Sequence, residues 1–165
     1  MKNYKFVSLT FVAILFFVGF SSICRADKVR EIQDDNASSI ESSILIKNAW
    51  EALAIKNLDE VVLNVNKLIE KFSNRAKEMQ YELTDYPWES KDKILSYWAL
   101  NDVGTGYFLL GVAYENAGSK EEAAEAYKTL IEEYSFTQCW DPQGWFWKPA
   151  EAAKEKLAAL KDGSK

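Results

Sequence analysis

The chain of 165 residues reads as an all-α protein on three observations. Apolar residues recur at spacings of three and four, as in Val61, Val65, Leu68, Ile69, Phe72, Ala76 and Met79, which places them on one stripe of a helix. Two Ser-x-x-Glu runs, Ser38 to Glu41 and Ser119 to Glu122, open such stripes. This is the capping box, in which the serine oxygen accepts from an orphan backbone N–H and the glutamate reaches back. No stretch alternates apolar and polar residues over the length of a strand.

The N-terminal segment is of another kind. Lys2 and Lys5 precede an almost wholly apolar run from Phe6 to Phe20, and Ser21, Ser22, Ile23, Cys24, Arg25 and Ala26 follow. A short positive region, an apolar stretch and a small-residue exit make a secretory signal peptide. Cleavage is expected after Ala26, because Cys24 and Ala26 supply small side chains at the two positions the peptidase reads. A retained membrane anchor and acylation at Cys24 are the other readings of residues 1–26. The run is short against the ~20 residues of a full span, and Ile23 stands where a lipobox has Gly, Ala or Ser. The expected location is the periplasm or the extracellular space.

Lys2, Lys5 and Arg25 are the only charged residues in 1–26, so residues 27–165 hold 17 of the 20 basic and all 25 acidic residues, a net charge of −8. Such a surface repels phosphate backbones, which argues against nucleic acid as a partner. Cleavage leaves Cys139 alone, so no intramolecular disulfide can form and stability must come from the helical core. The chain has no histidine. That removes Ser-His-Asp and Cys-His catalysis and imidazole metal sites. No catalytic residue, metal or cofactor is expected.

Residues 27–37 are polar, acidic and without period, and are expected to form a flexible lead. The capping box starts a helix at Ser38, carried by Ile40, Ile44, Leu45, Ala49, Ala52 and Leu53 up to an interruption at Lys56 and Asn57. A second helix starts at Leu58, with Asp59 and Glu60 in the first turn, where acids suit the helix dipole, and runs to about Leu83. Pro87 makes the segment from Thr84 to Glu89 a loop. Residues 91–117 are helical again, with a break expected near Asn101 and Asp102. Ser119 opens a helix reaching Tyr134. Residues 138–148 form an irregular loop rich in tryptophan, and Pro149, a favoured first-turn residue, opens a last helix to about residue 161.

Ser119 to Ser135 (SKEEAAEAYKTLIEEYS) aligns without a gap on Asn57 to Ser73 (NLDEVVLNVNKLIEKFS), an offset of 62 residues. Leu68, Ile69, Glu70 and Phe72 match Leu130, Ile131, Glu132 and Tyr134, and the same register sets Ala49 opposite Gly111. The chain thus holds two related helix pairs separated by an insertion. The second pair resembles the tetratricopeptide repeat: Tyr107, Leu110, Gly111, Tyr114, Gly118, Ala123, Tyr127 and Leu130 stand at that family's signature positions, with Ser135 in place of its final proline. Leu45, Ala49, Val61, Val65 and Leu68 fit in the first pair, while Asn48 and Ala52 depart from the pattern. The resemblance implies a short α-solenoid of antiparallel helix pairs: repeat 1 at about 42–75, an insertion at about 76–99, repeat 2 at about 104–137 and a capping helix at 149–161 within a domain of 38–162. About three units are usually needed for stability. The insertion, the Trp-rich loop or a second subunit would then complete the core, and the latter makes the chain a homo-oligomer.

In this family the first helix of each pair lines a concave face that receives a peptide or a partner's helix. Carried over by position, Ile46, Trp50, Phe108, Val112, Glu115 and Asn116 would face that groove, with Trp50 and Phe108 as apolar anchors. The implied function is a non-catalytic interaction module or scaffold that binds another exported or envelope protein. The alternative lies in the loop, where Trp140, Trp145 and Trp147 stand with Asp141. Exposed rings would stack on sugars, making a saccharide-binding protein or, with a second carboxylate, a glycan enzyme. Burial of these rings under the last helix is the favoured expectation.

Overall fold

The computed structural model describes residues 12–141 and 143–162, with side chains described from Val29 onward apart from Glu31. The expected export signal, its exit at Cys24 and Ala26, Pro142 and the last three residues therefore lie outside the described backbone or side chains. Among the described residues no helix is long and apolar enough to cross a membrane. The chain divides between Ser38 and Ser39 into two units. Helix α1 (Val12–Ala54) runs through that point, so residues 27–37 are helical and the helix does not open at Ser38. The lead contains neither glycine nor proline, and its Lys, Arg, Glu and Gln are good helix formers; polarity without an apolar stripe concealed this. Glu41 turns instead to Lys71 of the next helix.

Helix α2 (Leu58–Tyr81) begins as expected. The Asn57 side chain accepts from the Glu60 amide at 3.3 Å, Asp59 and Glu60 fill the first turn, and Val61, Val65, Leu68, Phe72, Ala76 and Met79 are buried along one stripe. A short α3 (Lys91–Leu95), capped by Ser90, leads into α4 (Trp98–Ala117). The break falls at Ser96 and Tyr97, and Asn101 and Asp102 sit inside α4. Asn101 does not start a helix because its side chain works elsewhere. It donates to the Ile94 carbonyl at 2.8 Å and accepts from the Gln138 amide at 2.9 Å. Helix α5 (Lys120–Glu133) starts beside Ser119, but Ser119 makes no side-chain capping bond, so the second capping box also goes unformed.

The expectation of no strands is corrected at the Trp-rich segment. Residues Cys139–Asp141 (β1) and Trp145–Trp147 (β2) form an antiparallel hairpin with Trp140 opposite Phe146 and Asp141 opposite Trp145. Its turn is held by Gly144 N–H to the Asp141 carbonyl at 2.9 Å and Gln143 N–H to the Asp141 carboxylate at 2.7 Å, with Gly144 at φ 105°. Helix α6 (Pro149–Asp162) follows. The architecture is thus mostly helical with one small hairpin.

Helix α2 packs on α4, α4 on α5, and both α4 and α5 on α6. Two apolar clusters fill the spaces. One joins Leu68, Phe72, Leu100, Val103, Tyr127, Leu130 and Ala153; the other joins Ala49 and Ala52 of α1 to Val61, Val65, Leu109 and Ala113. Gly111 lies against the Tyr127 ring so closely that an added Cβ would stand 2.2 Å from a ring carbon.

The two segments aligned at an offset of 62 residues turn in the same way. At 57 the amide bonds the Ala52 carbonyl (2.9 Å), and at 119 it bonds the Tyr114 carbonyl (2.9 Å); Lys56 N–H to Leu53 is matched by Gly118 N–H to Glu115. Lys56 has φ 57° where Gly118 has φ 82°. The left-handed conformation costs an L-residue about 1–2 kcal/mol and glycine almost nothing. Replacing Lys56 with glycine is therefore expected to stabilise the protein by about 0.5–1 kcal/mol, net of the greater entropy glycine brings to the unfolded chain. A shift of the urea midpoint to lower concentration would contradict this.

Candidate functional site

The six positions expected on one groove separate into three environments. Ile46 and Phe108 occupy matching positions in α1 and α4 and are half-buried against the core. Phe108 is covered by the chain itself: the Trp147 ring of β2 meets it edge-on at 5.0 Å, and Tyr127 lies at 6.0 Å on another side. Trp50 and Val112 are the next matching pair, one turn further on. Trp50 remains 40 % exposed, and Val112 is half-buried.

Glu115 and Asn116 lie one turn beyond Val112 on α4. The Glu115 carboxylate accepts from the Tyr127 hydroxyl at 2.7 Å and from the Lys156 ammonium at 2.8 Å, tying α4 to α5 and α6. Burial of the Tyr127 phenol, together with that bond, pushes its pKa well above the usual tyrosine value. Glu115, expected to face a partner, is thus engaged within the chain and keeps 20 % of its side chain exposed. Asn116 is exposed and lines a shallow depression with Leu53, Lys56, Leu58 and Ala113, beside the α1–α2 turn.

The hairpin rests on α4 through its first residues. Thr137 and Gln138 are buried. The Thr137 hydroxyl donates to the Tyr134 carbonyl at 2.8 Å, sharing its one proton with the Leu100 carbonyl at 3.2 Å, and Gln138 Nε2 donates to the Pro87 carbonyl at 2.9 Å. Gly104 makes room, since a Cβ there would fall 1.9 Å from Thr137 Oγ1. Beyond this anchor the three tryptophans differ. Trp147 is spent on Phe108. Trp140 is 37 % exposed, but the Lys91 ammonium sits 3.7 Å over its ring and Phe146 meets it at 4.9 Å. Trp145 is 53 % exposed. The expected burial of all three rings under the last helix is therefore corrected, and so is their grouping as one sugar platform. Asp141 is engaged in the turn. Among the described residues no group of three His, Cys, Asp or Glu side chains could hold a metal ion.

A buried polar contact lies between α1 and α4. Ser42, fully buried, donates to Asp102 Oδ2 at 2.6 Å. Asp102 keeps some accessible surface, but burial of its carboxyl pushes the pKa up to about 6 against the pull of the Ser42 bond. Cys139 stands nearby. Burial raises its thiol pKa, hydrogen bonds with Thr105 and Trp147 lower it, and the Asp102 and Asp141 charges add to the rise. Neither the Ser42–Asp102 contact nor the Thr137–Gln138 anchor carries a short-range sequence signal.

Compared with known proteins, the chain matches no family model, no curated protein and no solved structure.

Proposed function

We propose that this protein is a short tetratricopeptide-like α-solenoid that acts outside the cytoplasm as a non-catalytic interaction module. Its ligand is a peptide or helix of another exported protein, received on the strip of α1 and α4 that carries Ile46, Trp50, Phe108 and Val112. The observation that carries the reading is the α1–α2 turn and the α4–α5 turn sharing backbone bonds at a 62-residue offset, as a repeated helix pair requires. Trp50 adds to it: a large ring left 40 % exposed, on a helix that also exposes Ile40 and Ile44, is the kind of residue that anchors an interface. The hairpin closes the strip over Phe108, so the open length is the Trp50–Val112 end. The saccharide reading has less support, because Lys91 and Phe108 already occupy two of the three rings.

The test is a pull-down from envelope extract, using chain expressed with its N-terminal segment and recovered from the exported fraction. The expected result is a partner recovered by wild type and lost, by tenfold or more, with Trp50→Ala. The intact mass should lack residues 1–26. Equal recovery by both proteins would sink the groove assignment, and a mass that retains residues 1–26 would overturn cleavage at Ala26.

A further inference from the structure

Helices α4, α5 and α6 leave no large apolar side chain exposed among the described residues. The 39–54 part of α1 differs. Ile40 and Ile44 on it, and Ile55 directly after it, are 51–75 % exposed. Single exposed isoleucines are ordinary, but these three share a face. At 3.6 residues per turn, Ile40, Ile44, Lys47, Glu51 and Ile55 fall within an arc of about 80°. This face lies beside the one that carries Ile46 and Trp50, and no helix of residues 39–165 covers it.

Along the face the side chains run apolar, basic, acidic, apolar: Ile44, Lys47, Glu51, Ile55. Lys47 and Glu51 are the charges on that arc, and they bond each other across one turn at 2.6 Å with both side chains exposed. Reversing the order exchanges only the signs. A second copy laid antiparallel, with the two-fold axis beside residue 49, therefore sets Lys47 against Glu51 of that copy and Ile44 against its Ile55. An isologous interface needs this property, a single patch complementary to itself. A parallel copy would set lysine on lysine and glutamate on glutamate. We propose that α1 pairs with α1 of a second copy through this face, making the chain an antiparallel homodimer. The two ion pairs join across the axis as an alternating ring of four charges, with isoleucines closing both ends. The face is one helix wide and about 16 Å long from Ile44 to Ile55, which puts the dimer at the small, weak end of specific interfaces.

The experiment is sedimentation equilibrium on the exported chain, with circular dichroism showing that each variant is folded. Wild type should pass from monomer to dimer with a Kd on the order of 10–100 μM. Lys47→Glu alone and Glu51→Lys alone each set like charges together across the axis and should weaken the dimer by about tenfold or more. An equimolar mixture of the two variants brings opposite charges together again and should dimerise about as well as wild type. The double variant Lys47→Glu/Glu51→Lys should do the same by itself. Wild type that stays monomeric well above that Kd range would leave the face to a different partner and overturn the dimer. Single variants that dimerise like wild type, or a mixture no tighter than either variant alone, would also overturn it.

Discussion

Alanine at Gly111 is expected to destabilise the protein by about 2–3 kcal/mol, although alanine is the better helix former by about 1 kcal/mol. The clash wins because its partner cannot yield. The new Cβ would stand 2.2 Å from Tyr127 Cε1 and 2.5 Å from Cζ. Tyr127 has no exposed surface, its hydroxyl is fixed on Glu115 at 2.7 Å, and Phe108 stands on one side of the ring. Relief requires α4 and α5 to part. Gly104→Ala should cost as much, because the Thr137 Oγ1 it would meet is bonded to two carbonyls. Urea unfolding monitored by circular dichroism reads both effects. A midpoint at or above wild type for either variant would show that the helices do not approach as described.

Leu68→Ala and Leu130→Ala should each cost about 3 kcal/mol, the usual cost of emptying a leucine-sized volume in a core that relaxes only in part. The interest is in their equality. The two leucines are 62 residues apart, occupy the same position in α2 and α5, and are both fully buried in one cluster. Leu63→Ala, at a site 47 % exposed, should change stability by less than about 0.5 kcal/mol. If Leu68→Ala behaves like Leu63→Ala, the first pair does not share the core of the second.

What could be read from the chain follows from range. Helices α2, α5 and α6 carry their own evidence, an apolar stripe with acids or proline at the start, and they lie within about two residues of expectation. The extension of α1 through 27–37 was hidden because a polar helix has no stripe. The break at Ser96 and Tyr97 was hidden because neither glycine nor proline marks it, and Asn101 drew attention by its capping habit while serving Ile94 and Gln138 instead. Strands of three residues are too short to alternate, so the hairpin announces itself only through Asp141 and Gly144. The site was less legible still. Helical position placed Ile46, Trp50, Phe108 and Val112 on one strip. It gave no hint that Tyr127 and Lys156 would claim Glu115, or that Trp147 would cover Phe108. Serine 42 and aspartate 102 are joined across 60 residues, beyond any local pattern.

The two matching turns are unequal joints. At Gly118 the backbone bends into a shape its residue adopts freely; at Lys56 the same bend is forced on a side chain that resists it. The strain at Lys56, about 1–2 kcal/mol, has no counterpart at Gly118. The α1–α2 corner is therefore expected to open before the α4–α5 corner, which α6 seals, and amide exchange that is faster after Gly118 than after Lys56 would contradict this.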